Sequence, residues 1–298
     1  MMDAIHKPAS NQAEVTVLLE ALTTKCNLKT GSIGLSVMGR RLHFAKIGQG
    51  ERCVLISAGH HANEWIGTQV LMRFLQELCE GKVLGVCSEE ILNSATLFFV
   101  PLVNPDGVEL AQGHLKSGYA YDKAREIAAE FPQLPFPEGW KANIHGVDLN
   151  LQYPAGWEIA RQIKAEKGYF KPAPRDFVGF GPLEEPESRA LAEFTRQLMP
   201  DTVIALHSQG EVIYWKYGDC EPQGSGELGK LMSMASGYTL EETPFESGHA
   251  GYKDWFIEEF NRPGYTIELG LGENPLPDSQ LDSIYSAAAP MLLKAALF

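Results

Sequence analysis

The 298-residue sequence predicts an α/β fold: a single domain with a mixed central β-sheet flanked by helices on both faces. Three observations predict it. Short apolar runs of strand length alternate with longer runs of helical period, as they do when helices cover a sheet. "CVLIS" (53–57) and "TVIALH" (202–207) are apolar almost throughout, as strands buried on both faces must be. No linker-like stretch divides the chain, so residues 1–298 read as one unit.

Taken in order, Asn11 and Glu14 form a capping box before "VTVLLEAL" and predict a helix near residues 11–25. "IGLSVMGRRLHFAKIG" alternates on both sides of Gly39-Arg40 and predicts a β-hairpin. "CVLIS" is a short central strand, after which Ile66, Val70, Leu71, Phe74, Leu75 and Leu78 mark one helical face. "TLFFVPLV" (96–103) is a second central strand ending in the turn sequence "NPDG". Residues 104–183, rich in Pro, Gly and aromatics, read as a long irregular loop region for substrate binding. A helix follows at about 185–198, then strand 202–207, with "EVIYWKY" (211–217) predicted to form a hairpin with it. Helices near 225–236 and 251–260, strand "YTIEL" (265–269) and a helix from about 278 complete the chain.

Composition narrows the function. A net charge of −13 argues against nucleic acid, whose recognition rests on Lys and Arg neutralising phosphates, and more weakly against anionic membranes. No apolar run reaches the roughly 18 residues that span a bilayer. The first residues lack a basic region followed by an apolar stretch, so no secretory signal is read. The five cysteines are an odd, scattered set; Cys53 and Cys79 lie in apolar patterns and read as buried thiols. A reducing cytoplasm is the expected location.

"SAGHHANEWIG" (57–67) crowds two histidines and a glutamate into five residues between an apolar run and a helical one. His61 and Glu64, three apart in a strand-to-helix turn, can face the same point. A catalytic zinc takes three protein ligands and keeps a position for water. The third must come from another strand end, where His207 is the leading candidate. His60 points away from its neighbour and is not expected to ligate. His-x-x-Glu spacing alone leaves a purely structural role equally open.

"GHHANEWIG" resembles the zinc-binding segment of the carboxypeptidase A family of metallopeptidases. The likeness continues in family order through "NPDGV" (104–108), "GVDLN" (146–150), "LHSQG" (206–210), "DW" (254–255) and "TIELG" (266–270), covering roughly residues 30–297. The resemblance implies one Zn2+ ion held by His61, Glu64 and His207. It implies Asp148 as the carboxylate that anchors the first histidine. It also implies Glu268 as general base and acid, drawing a proton from metal-activated water.

Three positions depart from the digestive enzymes of that family. The Asn-Arg pair that grips a C-terminal carboxylate is Asn150-Leu151 here, and a leucine offers no bidentate fork. Lys141 stands for the arginine that stabilises the oxyanion. No tyrosine stands at the place of the family's mobile one; Glu246 does by count, with His249 and Tyr252 nearby. "WKAN", "GVDLN" without Arg, and "ESGHAGYKDWFI" are similar to the bacterial γ-D-glutamyl-diamino acid endopeptidases, which cleave the γ-D-glutamyl bond to meso-diaminopimelate in cell-wall peptides.

That likeness implies a small peptide partner, a soluble muropeptide. Lys253 holds the position that sets preference after the scissile bond and would suit a carboxylate-bearing side chain. Asn150, Ser208 and Arg175 complete the implied substrate-binding set, Arg175 through a substrate carboxylate or else a salt bridge within its loop. Three other functions stay open: a C-terminal metallocarboxypeptidase acting on ordinary peptides, a deacylase of the same fold, and a catalytically inert zinc-containing muropeptide-binding protein.

Overall fold

The computed structural model describes residues 9–298. Eight strands form one mixed sheet: β1 (Lys29–Leu35), β2 (Arg41–Gly48), β3 (Arg52–Ala58), β6 (Ala95–Val100), β7 (Thr202–His207), β8 (Val212–Tyr214), β9 (Thr239–Glu241) and β10 (Gly264–Glu268). Their spatial order is β1-β2-β6-β3-β7-β10-β8-β9. The middle four, β6, β3, β7 and β10, run parallel to one another, and the sheet is antiparallel where β2 meets β6 and β8 meets β10. β4 (Lys82–Val83) and β5 (Val86–Cys87) make a separate two-stranded ribbon.

Pleating divides the apolar strand residues between two cores, because successive side chains leave opposite faces. Val54, Ile56, Leu97, Phe99, Ile204 and Leu206 pack with residues of α1 (Gln12–Thr23), α2 (Ile66–Cys79), α8 (Ser225–Ser236) and α10 (Leu281–Leu297). Leu55, Phe98, Val100, Val203 and Ala205 pack with α7 (Pro186–Leu198) and α9 (Tyr252–Phe260) on the other face. The predicted two-faced burial is therefore realised residue by residue. α1 begins with Asn11 as its cap, Oδ1 accepting the Glu14 N–H at 3.1 Å. The Glu14 carboxylate takes the Ser10 N–H at 2.9 Å, one residue before the place a capping box gives it.

Three expectations are corrected. β8 does not pair with β7; it runs antiparallel to β10, which takes the place beside β7. Both β7 and β10 are apolar enough to be covered on two faces, so they claim the centre and the shorter β8 is displaced outward. Residues 104–183 are not uniformly irregular: α4 (Pro105–Ala111), α5 (Tyr119–Ala128) and α6 (Trp157–Glu166) lie within them, and α3 (Ser88–Ser94) precedes β6. Finally, Cys79 is not a free thiol. It forms a disulfide with Cys26, 53 residues away, while Cys53, Cys87 and Cys220 stay unpaired.

The sheet brings three chain segments to one edge. β3, β7 and β10 are parallel and end together, with Ala58 opposite Leu206 and His207 opposite Glu268. Ligand sites in such sheets lie beyond the carboxyl ends of the strands.

Candidate active site

His207 is the last residue of β7, and His61 and Glu64 stand in the turn between β3 and α2. All three are buried, and one potential ligand atom from each lies within 4.8 Å of the others. Nδ1 of His61 is 3.0 Å from Nδ1 of His207 and 3.0 Å from Glu64 Oε1, while His207 Nδ1 is 3.0 Å from Glu64 Oε2. Nε2 of His61 meets Asp148 Oδ1 at 3.0 Å. A carboxylate can only accept, so Nε2 donates to Asp148 and leaves Nδ1 to a metal in the neutral tautomer. Burial opposes a charge on the ring, but the Glu64 carboxylate outweighs it and raises the His61 pKa to about 9. The ring is therefore charged until a cation displaces the Nδ1 proton. Two ring nitrogens and a carboxylate converging in that tautomer form the donor set a divalent zinc takes, with the anchored imidazole such a ligand requires.

Glu64 is held from several sides. The Ser208 N–H donates to its Oε2 at 3.2 Å, and Lys141 Nζ pairs with its Oε1 at 3.1 Å. Asn274 Nδ2 reaches the same Oε1 at 3.4 Å. Burial alone would raise the Glu64 pKa, but His61 and Lys141 hold it well below the usual carboxylate range. Burial likewise works against charged Asp148, and the His61 charge and hydrogen bond outweigh it to keep that carboxyl ionised. Asp148 also organises its loop, Oδ1 accepting the Asn150 N–H and Oδ2 the Asp176 N–H, each at 3.2 Å. His60 is fully buried and stacks on the His207 ring, its Nε2 3.2 Å from the Tyr153 hydroxyl. Burial first, then His207 and His61, depress its pKa and keep it neutral.

Beside this group lies a cleft of two joined lobes. The inner lobe, about 220 Å³, is lined by His61, Asp148, Leu151, Lys164, Asp176 and Lys253 among others. The outer lobe, about 560 Å³, includes Asn63, Ser208, Gln209, Glu273 and Asn274. Lys141, Arg175, Tyr214 and Glu268 line both and form the waist between them. Burial, then the neighbouring Glu64 carboxylate, raise the Glu268 pKa to about 8. A carboxylate of that basicity can hold a proton near neutral pH, as a general base and acid must.

The remaining candidates are placed as follows. Asn150 lines the inner lobe and its Oδ1 accepts the Tyr252 N–H at 3.1 Å. Lys253 lines that lobe too but is buried, donating to the Lys216 carbonyl at 2.7 Å and pairing with Asp254. Arg175 Nε donates to Asp176 at 2.6 Å, the loop salt bridge anticipated as one of its two roles. Ser208 is turned inward, its Oγ donating to Asn274 Oδ1 at 2.8 Å. Glu246 lies outside both lobes in an ion pair with Lys167, and Tyr252 is buried against Thr195. The only phenol among the described residues lining the cleft is Tyr214, which sequence reasoning passed over. Its signal was the period of two along "EVIYWKY", since Tyr214 lies two residues from Val212, the partner of Glu268. Asn274 offered no signal beyond standing in a turn after a strand.

The profile of the zinc carboxypeptidase family, peptidase family M14, matches residues 15–290. The chain belongs to the zinc carboxypeptidase family. It is 41% identical over 275 residues to the uncharacterised protein YqgT of Bacillus subtilis (strain 168), covering 89% of this chain and 71% of that one. It is also 41% identical over 266 residues to γ-D-glutamyl-L-diamino acid endopeptidase 1 of Lysinibacillus sphaericus, covering 88% of this chain. It spans 65% of that relative's length. Among solved structures, bovine thrombin-activatable fibrinolysis inhibitor in complex with tick carboxypeptidase inhibitor shares the fold, with a TM-score of 0.72 at 20% identity. That likeness covers 96% of this chain and 95% of the other. Murein-tripeptide amidase MpaA from Escherichia coli O157 superposes with a TM-score of 0.56 at 22% identity, covering 89% and 91%. This zinc carboxypeptidase is thus a zinc-dependent hydrolase of peptides, with His61, Glu64 and His207 a group able to hold the metal.

Proposed function

We propose that this zinc carboxypeptidase hydrolyses the γ-D-glutamyl–meso-diaminopimelate amide bond of cell-wall muropeptides. The observation that carries the reading is the charge pattern of the inner lobe. Leu151 stands where the family's carboxylate-gripping arginine would, and every cation of the lobe has an acidic partner, Lys164 and Arg175 at Asp176, Lys253 at Asp254 and Lys141 at Glu64. A lobe of paired opposite charges suits a zwitterionic side chain, which diaminopimelate carries at its distal end. It does not suit a single C-terminal carboxylate, which binds best to a bidentate arginine. The Lysinibacillus relative, by its name, acts on such a bond.

His61, Glu64 and His207 would hold the zinc, which when bound lowers the pKa of water and polarises a carbonyl. Glu268 at the waist accepts a proton from the attacking water and returns it to the leaving amine. Lys141, also at the waist, places a positive charge beside the carbonyl oxygen as it becomes anionic. Asp148 keeps His61 in the ligating tautomer. Arg175 and Lys253 orient the substrate through its carboxylates, and Asn150 and Ser208 hold the cleft loops in register.

The test is product analysis on L-Ala-γ-D-Glu-meso-diaminopimelate. The wild type is expected to release diaminopimelate, and Glu268→Gln to lose about 10²–10⁴-fold in kcat while keeping its zinc. Release of C-terminal residues from ordinary peptides, abolished by C-terminal amidation, would support the metallocarboxypeptidase instead. Equal behaviour of wild type and variant would support an inert binding protein.

A further inference from the structure

We propose that Asn143 is a positioning residue: it docks the loop that carries Lys141 and Asp148 onto two buried acids of α7 and so holds both side chains against Glu64 and His61. The inference rests on the roles given above to Lys141 and Asp148, and not on which peptide is cleaved. Lys141 Nζ lies 3.1 Å from Glu64 Oε1, and Asp148 Oδ1 lies 3.0 Å from His61 Nε2. Both approach the group from the same loop, so whatever fixes that loop fixes the two together.

Asn143 stands between them in the chain and is fully buried. Its N–H donates to the Val147 carbonyl at 2.9 Å, and its carbonyl accepts the Gly146 N–H at 3.0 Å and the Trp140 indole N–H at 3.1 Å. The side-chain Oδ1 accepts the N–H groups of His145 and Val147, each at 3.1 Å. These bonds close residues 143–147 into one tight turn, with Gly146 at a left-handed φ of 76° that glycine adopts without strain. Nδ2 faces the other way, donating to Glu185 Oε2 at 2.6 Å and to Glu187 Oε2 at 3.3 Å.

Those two acids are themselves held. Glu185 is the N-cap residue of α7 and its N–H donates to Gln152 Oε1 at 3.1 Å, while Glu187 Oε1 accepts the Val37 N–H. On its opposite side the loop is bonded to the turn that bears His61 and Glu64. The Lys141 carbonyl accepts the Ala62 N–H at 2.9 Å, and the buried Asn104 Nδ2 bridges the carbonyls of His60 and Ala142 at 3.1 and 3.0 Å. The loop is thus clamped between α7 and that turn. An amide suits the place because its oxygen meets two donors and its nitrogen two acceptors. Aspartate has the same shape but would set a third buried carboxylate against Glu185 and Glu187, with no donor between them. The loop would then withdraw from α7 and carry Lys141 and Asp148 with it.

The test measures zinc affinity by chelator competition, and kcat and KM on L-Ala-γ-D-Glu-meso-diaminopimelate at saturating zinc. Asn143→Asp, shown to be folded by circular dichroism, is expected to bind zinc about tenfold more weakly, the low end for a disturbed ligand anchor. Its kcat should fall about tenfold or more while KM stays within about twofold, as a misplaced transition-state contact requires. Adding Glu185→Gln offers the new carboxylate an amide donor, reversing the hydrogen bond, and should restore most of both losses. Wild-type zinc affinity or wild-type kcat in folded Asn143→Asp overturns the proposal, as does a loss that Glu185→Gln leaves in place. Should Asn143→Asp not fold, Glu185→Ala decides, since Glu185 lines neither lobe of the cleft yet accepts the shorter of the two amide bonds. A loss of about threefold in zinc affinity and in kcat, the scale of one hydrogen bond, supports the proposal, and no change overturns it. Should the wild type leave the tripeptide intact, the muropeptide reading fails, and the zinc affinities alone decide by the same outcomes.

Discussion

Asp148 carries more than one task on a single carboxylate. Oδ1 accepts from His61 and from the Asn150 N–H, and Oδ2 accepts the Asp176 N–H. An asparagine cannot serve all of these, because whichever way its amide is turned, an NH₂ faces a donor. Asp148→Asn is therefore expected to weaken zinc binding by about 10–100-fold, the usual effect of losing a ligand's anchor. Competition against a chromophoric chelator reads the change directly, and an unaltered affinity would remove Asp148 from the site's support. At this scale the sequence was informative wherever a side chain has one expensive reason to be present. His61, Glu64, His207 and Glu268 stand at strand ends where packing alone would not retain them. Tyr214 and Asn274 were hidden because tyrosine and asparagine are cheap in ordinary strands and turns, and only the folded register brings them to the cleft. Lys253 looked like a helix-face lysine, yet its helix begins beneath the cleft, so it is buried with Asp254 beside it.

Helix α7 opens with Glu187, fully buried in its first turn. Its Oε1 accepts the Val37 N–H at 3.0 Å and its Oε2 the Asn143 amide at 3.3 Å. Burial dominates, and its pKa rises from 4.5 to about 7. Between those values the folded chain keeps a proton that the unfolded chain releases. Glu187 therefore costs stability progressively as pH rises through that window, with the full cost present above about 7. Melting curves at pH 5 and pH 8 should show Glu187→Gln gaining relative to wild type at the higher pH; an equal difference at both would contradict this. The disulfide makes a second prediction at the same scale. It ties the end of α1 to the end of α2 across 53 residues, and closing a loop of that length contributes about 4 kcal/mol in the chain-entropy picture. Thiol titration of protein denatured without reductant should count three reactive cysteines, and five after reduction, with a lower melting temperature. Three thiols would also favour an oxidising compartment over the expected cytoplasm. Neither feature was legible from the sequence, since each depends on which helices pack together. Most of the longer strands and helices were, because their periods are local, whereas α3 to α6 and the short β9 were not. The partner of β8 was not, because pairing is decided by competition for the central places in the sheet.

Over the whole molecule, His61, Glu64 and His207, the group able to hold a metal, lie on the rim of a body that does not need them to hold together. One core covers each face of the sheet, and both are built from strands and helices rather than from the site. Yet His61 and His207 are 146 residues apart in sequence, and the strands they follow, β3 and β7, are direct neighbours at the centre of the sheet. An ion bound there cross-links the two halves of the chain in the native state alone. Mass action then adds stability that grows with the free-metal concentration, about 4 kcal/mol at a thousand times the dissociation constant. A chelator should therefore lower the melting temperature by several degrees while leaving the far-ultraviolet circular dichroism at 25 °C unchanged, and added zinc should restore it. His207→Ala should abolish the zinc-dependent rise, because it removes the only ligand supplied by β7. Loss of secondary structure on chelation at 25 °C would mean that the cores do not stand without the ion. A melting temperature indifferent to zinc would mean that the three donors do not share one.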